Sequence, residues 1–413
     1  MEASVEELKV AKYPAYKDSG VEWLGEIPEH WDTLANKYIF ILKKNLVGKK
    51  SGDFVLLSLT LNGLIKRDMV NPQGKFPAEY NTYQEVKKGD FVFCLFDVEE
   101  TPRTVGLSNY DGMITGAYTV MKPNDNFDKG FLYYFYLNLD ADKRLKPLYT
   151  GLRNTISKEN FFSFRTFVPP KNEQTAIAQF LDRKTAQIDK AIAIKEKQIV
   201  LLKERRQILI HQAVTRGLNP DVPIKDSGVE WIGEIPEHWE VKALKHIAYL
   251  QSGETISAEK FIEEGFPVFG GNGFRGYTTT FTNEGEYVLI GRQGALCGNV
   301  NYAKGKFFAS EHAIVVYPLQ NQSTYWLGET IKQAEFNRLS QSAAQPGIAV
   351  SVIKNVLFPY PPREEQTEMA CFLKLMTEKT EVVISCKKNE IEKLKEYKVS
   401  LINSAVTGKI KVS

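Results

Sequence analysis

The chain has 413 residues, 53 Lys and Arg against 50 Asp and Glu, a net charge of +3, and 43% hydrophobic content. That length suits two to four domains, and 24 Phe with 19 Tyr exclude a disordered chain. The near-balance of charge excludes a global basic field, so a polyanion has to be met by local patches.

In chain order, the opening "MEASVEELKV" is acidic with no apolar run, and no secretory signal is expected. Next comes "KDSGVEWLGEIPEHW" at 17–31, which returns at 225–239 with only Leu24 replaced by Ile232. Between the two copies, the spans 53–60, 90–97 and 113–121 are predicted strands, rich in Val, Ile, Phe and Tyr. "FLYYFYLNL" reads as helix. A second repeat, "PPKNEQTAIAQFLD" from Pro169, returns as "PPREEQTEMACFLK" from Pro361. Within the second half, 286–291 and 312–317 are predicted strands, and "STYWLGETIKQAEFNRLS" reads as helix. The glycine-rich "GFPVFGGNGFRGYTTTF" and "GRQGALCGN" belong on loops.

After each Pro-Pro, apolar residues recur at steps of three and four. The first seam is Leu181, Ile188, Ile192, Ile199, Leu202, Leu209 and Ala213. The second is Leu373, Ile384, Ile391, Leu394, Leu401 and Ala405. This is a coiled-coil pattern, with Lys195, Lys387, Arg206 and Lys398 as matching polar members. An amphipathic helix of about 43 residues needs a partner for its stripe, and the other copy is the obvious one. Connectivity favours an antiparallel pair with a pseudo-two-fold axis. The repeated opening segment is then a joint, built twice, in which Trp23, Trp31, Trp231 and Trp239 bury large areas. The expected layout is a mixed α/β (α+β) chain: globular stretches 1–168 and 217–360, long helices 169–216 and 361–413. The two middles barely match. "KKGDFVFCLF" beside "NEGEYVLIGR" and "GAYTVMKP" beside "EHAIVVYP" are the correspondences that remain.

Motifs for chemistry are sparse. There is no GxxxxGK[ST], no GxGxxG after a strand, no Asn-Pro-Pro-Tyr type sequence and no GxSxG. Asp68 with Glu85 and Lys87 has the residue types of a metal nuclease, weighed against an ordinary solvated surface. The histidines at 30, 211, 238, 246 and 312 form no ligand pair; His312 is read as a satisfied core or loop residue in preference to a DNA contact. Cys94, Cys297, Cys371 and Cys386 form no CxxC and are expected as reduced thiols in the cytoplasm. No apolar run is long enough to span a bilayer. The better lead is nucleic acid. Lys49, Lys50, Lys66, Arg67, Arg103, Arg153 and Asn154 in the first middle, and Asn272, Arg275, Arg292, Gln293, Lys304 and Gln345 in the second, form candidate DNA-binding sets. Arg reads guanine edges, Asn and Gln read adenine, and Lys meets phosphate.

The duplicated "KDSGVEW…GEIPEHW" segments, the Pro-Pro-x-x-Glu-Gln helices, and "QAVTRGL" with "SAVTGKI" together resemble the specificity (S) subunit of type I restriction–modification systems, over nearly the whole chain. The first middle departs by lacking a "GFPVFGGNG" stretch. The resemblance implies two target recognition domains, each reading one half of a split, asymmetric site in double-stranded DNA. It implies a helical spacer that sets the gap and docks two methyltransferase (M) subunits, which the motor-nuclease (R) subunits join. S-adenosylmethionine, ATP and Mg²⁺ then belong to those partners, and this chain binds no cofactor or metal and catalyses nothing. The rival readings are a fused methyltransferase or nuclease, a coiled-coil adaptor that ignores DNA, and the S component of a system that cuts on both sides of its site.

Overall fold

The computed structural model describes residues 11–68, 79–294, 296–340 and 347–412. Four helices of ten or more residues stand out among these: α1 (Lys129–Ala141), α2 (Lys171–Arg216), α3 (Thr324–Gln333) and α4 (Arg363–Val406). The chain divides into two compact units. One comprises residues 1–194 and 389–413, the other 195–388.

In the first unit, a four-stranded antiparallel sheet runs in the order Phe40–Leu42, Thr119–Pro123, Phe91–Phe93, Val105–Leu107. Alternate apolar residues and α1 close over it. Phe40, Phe91, Phe93, Phe131, Phe135, Tyr136 and Phe161 are all at most 2% exposed, and their rings meet mostly edge to face. Asp128 caps α1 by accepting from Phe131 N–H at 3.0 Å. The predicted strand at 113–121 is two strands, Gly112–Ile114 and Thr119–Pro123. Gly116 lies in the break, where a Cβ would stand 2.5 Å from the Thr82 carbonyl. The predicted strand at 53–60 begins only at Leu57, because the polar run Gly48–Asp53 forms a 3₁₀ turn.

In the second unit, six strands run in the order Ala248–Ser252, Ala313–Pro318, Asn283–Gly291, Val300–Ala309, Phe266–Gly270, Gly273–Thr278. All pairings are antiparallel except Phe266–Gly270 on Val300–Ala309. The faint sequence correspondences fall on equivalent strands. Phe91–Phe93 pairs with Thr119–Pro123 in the first unit as Asn283–Gly291 pairs with Ala313–Pro318 in the second.

The duplicated segments are joined to the Pro-Pro helices by the same contacts in each unit. In the first, Trp31 is fully buried and its indole N–H donates to Glu173 Oε1 at 2.9 Å, while His30 Nε2 sits 2.8 Å from Glu173 Oε2. In the second, Trp239 donates to Glu365 at 2.9 Å and His238 lies 2.6 Å from it. The Gln that follows each Glu folds back. Gln174 donates to the Pro169 carbonyl at 2.8 Å and Gln366 to the Pro361 carbonyl at 3.0 Å. The Tyr13 hydroxyl also donates to Glu173. Burial, and then that hydrogen bond, push the Tyr13 hydroxyl well above its ordinary range. Trp23 and Trp231 are only half-buried, and Arg144 stacks 4.6 Å over the Trp23 ring.

Each unit also packs the start of one long helix beside the end of the other. In the first, Leu181 and Ile188 of α2 share a core with Leu401, Ala405 and Val406 of α4, and Lys398 Nζ reaches both Asp189 carboxylate oxygens at 2.7 Å. In the second, Leu373 of α4 packs with Ile210, Ala213 and Val214 of α2, and Arg206 pairs with Glu381. Leu181, Ile188, Leu373, Ile384, Ile391 and Leu401 are buried; Ile192, Ile199, Leu202, Leu209 and Leu394 are half-buried. Near its end the stripe of α2 turns inward at Ile210, 5% exposed, one place beyond Leu209. A straight helix drifts by about 20° per heptad, which rotates the next residue into the contact. No helix among the described residues is long and apolar enough to cross a membrane.

Candidate nucleic-acid interface

The glycine-rich run expected as a loop instead forms a hairpin of the strands Phe266–Gly270 and Gly273–Thr278, since alternate large residues pair across it. Four segments of the second unit converge on one cleft of about 580 Å³: the 271–272 turn with the start of the strand Gly273–Thr278, Gln293–Gly294 after the strand Asn283–Gly291, the turn at His312, and Gly347. Small residues make the convergence possible. A Cβ on Gly291 would lie 2.4 Å from the Gly271 carbonyl and 2.9 Å from that of Leu296, so only glycine fits between these backbones. The loops are then tied by backbone bonds. Arg292 N–H donates to the His312 carbonyl at 2.8 Å, and Ile348 N–H donates to the Arg292 carbonyl at 2.9 Å.

The cleft brings together Asn272, Arg275 and Gln293 of the sequence-derived candidates. Arg275 lies 5.6 Å over the Phe261 ring, and Asn272 Oδ1 accepts from Asn299 at 3.4 Å. Arg292 braces the cleft through its backbone and does not line it. Lys304 is exposed on the strand Val300–Ala309, opposite Glu286 and outside the cleft. Gln345 lies outside the described residues. Of the lining residues outside the candidate set, sequence reasoning passed over Phe274 and set His312 aside. Phe274 is 54% exposed, and His312 lies in a satisfied loop, as expected, but faces the cleft. A large exposed ring inside a glycine-dense run was the available signal for the first.

The candidates of the first unit sit on separate loops. Lys49 and Lys50 are exposed on the 3₁₀ turn Gly48–Asp53. Lys66 ends the hairpin strand Gly63–Lys66 with its ammonium 4.8 Å from the Tyr110 ring, and the Arg67 backbone N–H donates to the Leu56 carbonyl. Arg103 donates to the Leu61 carbonyl at 2.9 Å. Arg153 grips Asp97 with two bonds, 3.1 and 2.7 Å, so its fork is already engaged. Asn154, beside it, holds a left-handed φ of 44°. Glu85 pairs with Lys87 at 2.7 Å, which chiefly lowers its carboxyl below the ordinary range. No group of three or more His, Cys, Asp or Glu side chains among the described residues gathers to hold a metal ion.

Comparison with known proteins follows the same division. The Type I restriction modification DNA specificity domain family matches residues 79–204 and 236–393. The type I restriction enzyme EcoprrI specificity subunit of Escherichia coli is 38% identical over 160 residues, a match that covers 36% of this chain and 40% of that protein. The MjaVIII specificity subunit of Methanocaldococcus jannaschii is 27% identical, over 70% of this chain and 72% of that protein. The putative MjaX specificity subunit of the same organism is 24% identical over 94% and 96%. Among solved structures, a chain from a study of complex assembly and conformational transition in the type I R-M system superposes with a TM-score of 0.69 at 15% identity. It covers 92% of this chain and 98% of its own length. The HsdS subunit from Thermoanaerobacter tengcongensis gives 0.56 at 15% identity, covering 93% and 98%, and these two likenesses speak to the fold. With two specificity-domain matches that together cover more than half of its length, the chain belongs to the family of type I restriction–modification specificity subunits.

Proposed function

We propose that this chain selects the DNA sequence for a type I restriction–modification complex and performs no catalysis itself. Residues 1–168 and 217–360 act as target recognition domains, each reading one half of a split, asymmetric site. Helices 169–216 and 361–413 form an antiparallel coiled-coil spacer with a pseudo-two-fold repeat. They set the half-site gap and dock two M subunits, to which R subunits are added in the cytoplasm. S-adenosylmethionine, ATP and Mg²⁺ are supplied by those partners.

The observation that carries this reading is one joint built twice around unlike bodies. Trp31 and His30 on Glu173, and Trp239 and His238 on Glu365, repeat the same contact. The sheets that follow have four strands and six. Identical mounts with different heads suit a protein that presents two different readers in equivalent poses. The start of each long helix lying beside the end of the other, within each unit, supports the antiparallel pairing. Apolar side chains left on the helix surface, Val200, Leu201 and Ile208 on α2 and Leu375 and Val382 on α4, are each 50–69% exposed and support a docking role.

The experiment is to map methylated bases in the source genome with and without this gene. A split, asymmetric motif should lose methylation when the gene is removed. Methyl transfer to DNA by the purified chain alone would defeat the non-catalytic assignment.

A further inference from the structure

The cleft of the second unit contains a linked set of side chains, two of which were not among the sequence-derived candidates. Both ring nitrogens of His312 have an oxygen neighbour. Nδ1 lies 3.0 Å from Gln293 Oε1, and Nε2 lies 3.1 Å from Glu311 Oε1. The second Glu311 oxygen, Oε2, is buried and has no partner. Glu311 and His312 occupy the turn between the strands Val300–Ala309 and Ala313–Pro318. The turn is pinned by Ser310 N–H on the Phe269 carbonyl at 2.8 Å and by Arg292 N–H on the His312 carbonyl at 2.8 Å. Gln293 itself is exposed at the cleft, beside Asn272 and Arg275.

We propose that Gln293 reads a purine edge in one half of the DNA site, with His312, backed by Glu311, as the residue that positions the Gln293 amide. The proposal rests on the DNA-specificity reading above and deepens it by assigning base readout to a named side chain.

The chemistry of the cleft favours a base over a phosphate. A phosphate is all acceptor, and its sites are built from donors. Here a carboxylate stands directly behind the histidine, where it would repel a phosphate. The amides of Asn272 and Gln293 each carry both a donor and an acceptor face. With one lone pair of Gln293 Oε1 toward His312, the Nε2 protons and the second lone pair remain for N7 and N6 of an adenine. Arg275, braced near the Phe261 ring, has the fork that matches guanine O6 and N7. Phe274 adds an exposed apolar face at the same place. Rigid loops suit this task, because a reader that moved would not discriminate. The backbone ties and the glycine at 291 supply that rigidity.

The test uses the full chain assembled with its methyltransferase partners and a library of split-site DNAs randomised in both halves. Q293A should relax preference at one base position of one half-site by about tenfold or more, H312A should relax the same position less, and both should leave the other half as selective as before. E311Q should give a smaller loss at the position relaxed by H312A. Gln293 is exposed, so Q293A decides the matter even where H312A disturbs folding. An equal loss on every sequence, with a shallower dependence of affinity on salt, would mark a phosphate contact and overturn the proposal. Unchanged base preference in Q293A would overturn it as well, while the split-site activity of the parent chain kept the broader reading intact. A parent complex with no sequence preference would sink both.

Discussion

Glu173 and Glu365 carry a disproportionate share of the two joints. Each accepts a buried indole N–H and touches a histidine, and Glu173 also takes the Tyr13 hydroxyl. Removing the carboxylate leaves the indole N–H of a fully buried tryptophan without its partner. Hydrogen bonds to charged groups contribute about 1.5–3 kcal/mol, and an orphaned buried donor costs its desolvation. E173A is therefore expected to lower unfolding free energy by about 2–3 kcal/mol in urea titration of the full chain. E365A should cost less, because Glu365 lacks a tyrosine partner and its side chain is 33% exposed against 17% for Glu173. The two losses should add, since the partner sets share no residue. Equal losses would mean that the third hydrogen bond at Glu173 contributes nothing. Both halves of this contact were legible as repeated strings, "IPEHW" and "PPxxEQ". That the opening segment forms a joint was read from its repetition, but that the helix glutamate is what the tryptophan meets was not, because a contact across 142 residues leaves no trace in local periodicity. The same limit hid the contact of His312 with Gln293, which comes from a different strand end.

At the scale of elements, the long helices were readable from period and punctuation. Each Pro-Pro stops the preceding strand, and an apolar stripe runs for more than forty residues behind it. What ends each helix was less visible. Gly408 follows α4 with φ +73°, and a Cβ there would stand 2.3 Å from Pro28 Cδ. Gly217 follows α2 with φ +75°, and its Cβ would meet the Trp239 ring at 3.2 Å. Both positions need the left-handed conformation that glycine adopts freely, worth about 1–2 kcal/mol against alanine. G408A adds a hard clash with a proline ring, which cannot swing aside. It should destabilise clearly more than G217A, where the ring needs to yield by only a few tenths of an ångström. Thermal melts of the two variants check the order; a reversed order would mean the joint at Pro28 is looser than its contacts indicate. Inside the second unit, Leu373 is fully buried against Ile210, Ala213 and Val214, so L373A should cost about 2–5 kcal/mol. Strand breaks such as the one at Gly116 were illegible for a different reason. An apolar run does not announce where a neighbouring carbonyl requires a turn.

For the whole molecule, the proposed function makes helix length a measure of DNA length. Seven residues of helix rise by about 10.5 Å, and DNA rises by roughly 3.4 Å per base pair, so one heptad corresponds to about three base pairs. Deleting one heptad from each long helix, at matching places in the seam, keeps every apolar residue in phase with its partner. Deleting four residues instead turns the stripe by about 40° and should impair folding, which makes it the control for a length effect alone. Each base pair also turns its half-site by about 34° around the DNA axis, so a three-pair change presents the second half-site rotated by about 100°. The shortened chain is therefore expected to bind more weakly than the parent. Its residual methylation should still move to sites whose gap is about three base pairs shorter, with both half-site sequences unchanged. On the proposed reading, those half-sequences depend on loops such as the Gln293 cleft, which the deletion does not touch. A gap that stays at the parental length in the folded heptad-deletion complex would show that the partners, and not these helices, set the spacing.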